Sequence, residues 1–312
     1  MSKRILFVWA LLYCGLCAEI PSAYADTSNV NLKRQANAFM MIMGYSLTPD
    51  VTTGSLSISD NATNNPGLQM TSLGGGGTIS ESTPIYLEGT IALNRYDPTF
   101  ILSGGTTSES IPVKWTSISA TGGIGYSFSL TKEWRIIPVF NLSIGHVESD
   151  LSVLARVAED RTGINFDFLK GGRLNALGLG GSVILDYEDY HPEQEIDIEL
   201  RYTNIQLNSY QSSEALEGQV NSQSVNLWTR RRTPTNFTLF DKPIRHVMEF
   251  AHTQFLGDLR GALGFNSLSS IGTGLELNIK DYPLFFERAR VMTRFQFGAN
   301  VTGWSLGFAA SF

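Results

Sequence analysis

Thr302-Gly303-Trp304-Ser305-Leu306-Gly307-Phe308-Ala309-Ala310-Ser311-Phe312 is the stretch that decides the fold. Trp304, Leu306, Phe308, Ala310 and Phe312 share one parity, and Gly303, Ser305, Gly307, Ala309 and Ser311 share the other. Side chains of a strand alternate between two faces, so one face is apolar and bulky and the other small or polar. About ten residues of this pattern is the length of a tilted strand crossing a bilayer, with lipid outside and lumen inside.

The pattern recurs upstream. In 287–299, Ala289, Val291, Thr293, Phe295, Phe297 and Ala299 face out, while Arg288, Arg290, Met292, Arg294 and Gln296 face in. In 195–205, Ile196, Ile198, Leu200 and Tyr202 alternate with Asp197, Glu199, Arg201 and Thr203. Segments 173–187, 118–130, 134–144 and 85–93 alternate likewise. Weaker candidates are 39–47, 67–79, 219–229, 243–255 and 268–279. The expectation is an all-β protein, a transmembrane antiparallel up-and-down barrel of about twelve strands.

The gaps between strands agree with this. Ser80–Thr83, Thr131–Glu133, Asp189–Glu193 and Lys280–Leu284 are short. Thr48–Pro66, Asp97–Ser110, Asp150–Gly172, Ser209–Gly218 and Gly257–Ser267 are long. Short periplasmic turns and long surface loops alternate in outer-membrane barrels. Pro234–Lys242 and the tight Asn300–Val301 turn break the rule. This numbering places both barrel termini in the periplasm, Phe128, Trp134 and Phe312 at the periplasmic rim, and Trp304 at the outer rim, where aromatic belts belong.

Residues 1–25 read as a signal peptide. Lys3 and Arg4 precede an uncharged apolar run from Ile5 to Ala18, and Ala23-Tyr24-Ala25 supplies the small residues of a cleavage site. The run is shorter than the ~20 residues a spanning helix needs. Cys14 and Cys17 lie within it, preceded by Tyr13 and Leu16 rather than by small residues, so no lipid anchor is expected. The rest of the chain has no cysteine and must be held together without disulfides. The organisation expected is a signal peptide at 1–25, a periplasmic or luminal segment at 26–38 and a barrel at 39–312. Asn31–Phe39 suits a short helix or an early strand, and Asp26–Ala38 is a candidate plug.

Composition excludes several classes. Charged residues are 17% of the 312, below the roughly 25% of ordinary soluble domains, and glycine is abundant at 30. The net charge of −6 gives no basic face for nucleic acid. A mean hydropathy of −0.03 excludes a bundle of transmembrane helices, and 42% hydrophobic residues exclude disorder. The expected location is the Gram-negative outer membrane, reached through the periplasm.

The last strand, with Trp304, Leu306, Phe308 and a terminal Phe312, resembles the assembly signal of Gram-negative outer-membrane proteins. That resemblance implies the barrel-assembly machinery as a partner, with outer-membrane lipid and lipopolysaccharide around a monomer. The strand count, with Gly44-Tyr45-Ser46-Leu47-Thr48-Pro49-Asp50 and Pro84-Ile85-Tyr86-Leu87-Glu88-Gly89, resembles the solitary autotransporter-like β-domain family. It implies a translocator-type barrel without cargo. Only about 13 residues, Asp26–Ala38, precede the first expected strand, and no Asn-Asn pair marks a self-cleavage site there.

Catalytic chemistry is not expected. The resemblance to outer-membrane phospholipases would need a His-x-Ser-Asn-Gly run, and none occurs. His246 and His252 share a face but stand ~20 Å apart, too far for one metal site; with His146 and His191 they read as wall or rim residues. Gly74–Gly77 lacks the Lys-Ser or Lys-Thr of a phosphate loop. Arg230-Arg231-Arg232 reads as solvated rim charge, divided between both faces by alternation. No cofactor or metal is expected. One constellation stands out: Arg288, Arg290 and Arg294 on one inward face, with Asp197, Glu199 and Arg201 on another. They read first as a salt-bridged lumen that stiffens the barrel, and second as a charged constriction that filters solutes. A loop-borne surface adhesin and a lipid-modifying enzyme are the alternatives to a non-enzymatic pore or scaffold.

Overall fold

The computed structural model describes residues 40–41, 43–47, 53–60, 68–96, 99–104, 107–112, 115–149, 173–210, 218–262, 265–279, 288–299 and 301–311. The expected signal peptide, Asp26–Ala38, the Asp150–Gly172 loop and Phe312 lie outside them. Alternation turns almost every described segment into a strand. In chain order these are β1 (Thr53–Asp60), β2 (Leu68–Thr78), β3 (Ile85–Tyr96), β4 (Thr99–Gly104), β5 (Thr107–Pro112), β6 (Trp115–Tyr126), β7 (Phe128–Ser129) and β8 (Trp134–Ser149). They continue as β9 (Arg173–His191), β10 (Gln194–Tyr210), β11 (Gln219–Leu239), β12 (Lys242–Gly257), β13 (Ser267–Asn278), β14 (Arg288–Gly298) and β15 (Val301–Ser311).

Twelve strands form an antiparallel ring in the order β1-β2-β3-β6-β8-β9-β10-β11-β12-β13-β14-β15, and β15 pairs back onto β1 from Thr53↔Phe308 to Asp60↔Val301. Closure leaves no open sheet edge around the ring. Each element of the wall satisfies its backbone against two neighbours, which is the condition for a strand to cross hydrocarbon. Among the described residues β4 and β5 pair only with each other, as a separate hairpin between β3 and β6 at the long-loop end.

Several strands run beyond their expected ends, β9 to His191 and β10 to Tyr210, and β4 and most of β5 fall within the stretch read as the Asp97–Ser110 loop; two differences change the ring itself. The expected first strand, 39–47, is not in the wall. Met40, Met41, Met43 and Gly44 are helical, and the Tyr45 N–H donates to the Met41 carbonyl at 3.1 Å. The strand that closes the ring is β1, inside the stretch read as the Thr48–Pro66 loop. The other difference removes an exception. β11 continues through Leu239, and a two-residue turn, Phe240–Asp241, joins it to β12. Both turn residues have positive φ (53° and 60°), as a two-residue hairpin with the twist of its strands requires. A bulge between Pro234 and Thr238 absorbs the proline.

The outward face is apolar. Leu87, Ile91, Leu93, Ile118, Ile124, Phe140, Leu142, Ile144, Leu179, Met248, Ile271, Leu306 and Phe308 are all exposed. Tyr126 and Phe128 (ring centroids 4.7 Å apart) and Trp134 and Tyr187 (4.9 Å) lie toward the short-turn end. Inward positions are small where strands crowd. A Cβ on Gly180 would sit 2.0 Å from the Asn204 carbonyl oxygen, a backbone atom that cannot step aside. Gly180→Ala is expected to lower the yield of folded barrel sharply. Counting unboiled, fast-migrating protein on gels checks this, and wild-type yield would refute it.

Candidate functional site

The lumen is layered along the barrel axis, and the layers follow from parity. At the long-loop end the inward residues are apolar: Trp115, Val147, Leu174, Ala176, Ile205, Leu207, Val220, Phe255 and Val301, with Leu259 and Phe265 beyond β12. Residues 40–47 dock against them. Met40, Met43 and Leu47 recur at i, i+3 and i+7, the spacing of one helical face, and are 0%, 0% and 1% exposed. Gly145 leaves room for this segment, because a Cβ there would fall 2.3 Å from Met43 Sδ.

Polar contacts set the segment's orientation. Tyr45 Oη donates to the Leu259 carbonyl at 2.7 Å, and its ring lies 4.4 Å from that of Phe255. Ser46 Oγ meets Ser119 Oγ at 3.1 Å and accepts from Asn94 Nδ2 at 3.1 Å. Ser222 Oγ donates to the Gly44 carbonyl at 3.2 Å. The segment thus touches β3, β6, β11 and the β12–β13 connection, across the width of the barrel.

Below it the inward residues become hydroxyls and then charges. Thr121 and Ser143 bond at 2.9 Å, and Ser182 and Thr203 at 3.0 Å. Arg201 on β10 then donates to both oxygens of Glu88 on β3, at 2.7 and 2.6 Å. Both side chains are buried, at 2% and 0% exposure. These strands are four places apart in the ring, so the pair spans the lumen rather than lying along one ladder. Asn141 and Ser182 complete its hydrogen bonding.

A second group places Glu249 between Arg230 (3.0 Å) and Arg294 (2.6 Å), and each guanidinium lies 5.9 Å from the Trp228 ring centroid. Nearer the short-turn end, Arg232 meets Asp197 (2.5 Å), Glu195 (3.0 Å) and Glu276 (3.3 Å). Arg290 meets Glu276 (2.9 Å), Arg288 meets Glu195 (2.8 Å), and Arg245 also pairs with Glu195. Arg135 and Glu188 pair at 2.6 Å. Planar guanidinium groups suit this network, because each can bond two carboxylates in fixed directions.

Asp197, Glu199, Arg201, Arg288, Arg290 and Arg294 therefore all occupy the inward face, with Asp197 and the four arginines in ion pairs. Their main partners, Glu88, Glu249, Glu276 and Glu195, escaped the sequence reading. Glu88 stood at the inward parity of the Ile85–Leu93 run, which was the available signal. The Arg230–Arg232 cluster is corrected. Alternation does divide it, but Arg230 and Arg232 are 7% and 5% exposed inside the network, and only Arg231 is exposed, bonded to Gln194. The misplacement follows from ending β11 too early.

Trp304, Leu306 and Phe308 project outward at 68%, 46% and 54% exposure. His146, His246 and His252 bond Asn175, Thr273 and Ser269 at 2.7, 2.7 and 2.8 Å, so each has a separate neighbour. Among the described residues no group of His, Cys, Asp and Glu is arranged to hold a metal.

No family model matches the chain, and no curated protein matches it. Among solved structures it is similar to the transport unit of the autotransporter AIDA-I from Escherichia coli, at 12% identity over 90% of this chain and 99% of that one, with a TM-score of 0.47. The translocator domain of the autotransporter NalP from Neisseria meningitidis is similar at 11% identity over 94% and 100%, TM-score 0.43. The NanC porin is similar at 10% identity over 84% and 99%, TM-score 0.38. Autotransporter domains and porins thus stand among its structural neighbours.

Proposed function

We propose that this chain is an integral barrel of the Gram-negative outer membrane, held shut at rest by its own residues 40–47, and that it serves as a gated narrow pore or a surface scaffold rather than as an enzyme. The carrying observation is the burial of Met40, Met43 and Leu47 among inward side chains of the ring. The closed ring and its exposed apolar exterior support membrane insertion, since a water-soluble surface does not carry so continuous an apolar band. The β4–β5 hairpin, paired only with itself among the described residues, favours the scaffold role at the long-loop end.

The test uses the absence of cysteine outside Cys14 and Cys17. Ser46→Cys with Ser119→Cys replaces two hydroxyls 3.1 Å apart. In outer-membrane fractions the pair is expected to form an internal disulfide, seen as a mobility shift reversed by reductant. Free thiols under oxidising conditions would remove the plug from the reading.

The outward row Trp304, Leu306 and Phe308 supports recognition by the barrel-assembly machinery. Removing Phe312 is expected to reduce outer-membrane levels at native expression while leaving the heat stability of the assembled fraction close to wild type. Normal levels of the truncated chain would contradict this.

A further inference from the structure

Between residues 40–47 and the charged layer lies a cavity of about 160 Å³. Gly44, Tyr45 and Ser46 form one end with Phe255, Leu259, Phe265 and Leu268, while Glu199, Arg201, Trp228, Arg294 and Gln296 form the other. Serine, threonine and asparagine side chains make the walls. The cavity therefore has an apolar side and a polar side, and its size is close to that of engineered cavities that take up a six-membered ring.

The groups left uncommitted define its chemistry. Arg201 is saturated by Glu88, Ser182 and Thr203. Arg294 is engaged by Glu249. Glu199 differs: it lines the cavity and takes no hydrogen bond or ion pair from the described residues. The Gln296 amide oxygen and the Trp228 indole N–H are likewise buried without a partner. The cavity thus offers two acceptors and one donor. A carboxylate accepts two hydrogen bonds side by side, which matches a vicinal diol.

Charge narrows the class. Arg201, Arg230 and Arg294 face Glu88, Glu249 and Glu199, so the surroundings are balanced. A bound cation would meet the guanidiniums of Arg201 and Arg294, and a bound anion would meet the Glu199 carboxylate. Either would add an uncompensated buried charge. We infer that this cavity is a binding site for a neutral polyhydroxylated small molecule of up to monosaccharide size, its hydroxyls on Glu199 and Gln296 and its apolar face toward Phe255. The inference rests on residues 40–47 occupying the lumen, as proposed above.

The test is calorimetry and tryptophan fluorescence on the full-length protein in detergent, with D-glucose and myo-inositol as neutral probes and D-glucuronate as the anionic one. Saturable binding of a neutral probe with a Kd of about 1 mM or tighter is expected. Glu199→Gln should weaken it about tenfold, one lost charge-assisted hydrogen bond. Ala251→Leu, which fills the cavity without touching a charge, should abolish it while the barrel stays heat-modifiable. No saturable binding of either neutral probe, tighter binding of D-glucuronate, or binding unchanged in both variants would each overturn the inference. The Ser46–Ser119 crosslink separates the two readings. A disulfide without binding sinks only the cavity, whereas no disulfide sinks the plug on which it depends.

Discussion

Removing residues 40–47 turns a quiet barrel into a conducting one. In planar bilayers the wild-type protein is expected to show small, infrequent conductance, and the deletion variant a steady level about tenfold higher. Twelve strands make a ring wider than the eight-stranded kind that side chains fill, so the wall alone does not close it. The long-loop half is closed by Met40, Met43 and Leu47 against the inward apolar residues. The Ser46→Cys/Ser119→Cys protein gives the reciprocal result: silent while oxidised, and no more active than wild type when reduced. The short-turn half keeps its Glu88–Arg201 bridge after the deletion, so the open level should stay below that of a 16-stranded porin. Large, steady, porin-like conductance from the wild type would show that the segment does not close the lumen. Deletion without any increase would assign the closure to the charged layer instead.

The second large effect concerns that bridge. Arg201→Met should lower stability by about 3–5 kcal/mol, because it leaves the Glu88 carboxylate buried without its partner. Glu88→Met should cost a similar amount by isolating the guanidinium. The double variant should regain most of the loss, since two apolar side chains replace two desolvated charges. The readout is the temperature at which unboiled, fast-migrating protein converts to the unfolded form, taken as a double-mutant cycle. Additive losses would show that Glu88 and Arg201 contribute separately through Asn141, Ser182 and Thr203. By contrast, Arg231→Ala, which removes an exposed guanidinium, should leave the transition within experimental scatter.

The two misread segments show where one-dimensional pattern fails. Met40-Met41-Ile42-Met43 is apolar on every side, so a period of two and a period of 3.6 fit it equally well. Which one forms depends on whether the residues find hydrogen-bond partners on a neighbouring strand or an apolar pit to fill. β1 has the opposite difficulty. Gly54-Ser55-Leu56-Ser57-Ile58-Ser59 holds only two large apolar residues, and its flanks are rich in Asn, Thr and Gly, so it reads as loop. Its strand conformation comes from closure: β15 and β2 both present unpaired edges, and β1 satisfies both.

The sequence by itself determined the fold class, a closed barrel of about twelve strands though with 39–47 counted in place of β1, the parity of each clear strand and hence the inward parity of Asp197, Glu199, Arg201, Arg288, Arg290 and Arg294. These follow from a local rule, because a period of two sorts side chains between two faces before any long-range contact is known. Only the tertiary structure decided what those charges meet. Glu88 and Arg201 are 113 residues apart, and ring curvature, not spacing, brings them within 2.7 Å. It also decided that residues 40–47 leave the wall for the lumen, because their burial depends on a pit built by strands far along the chain.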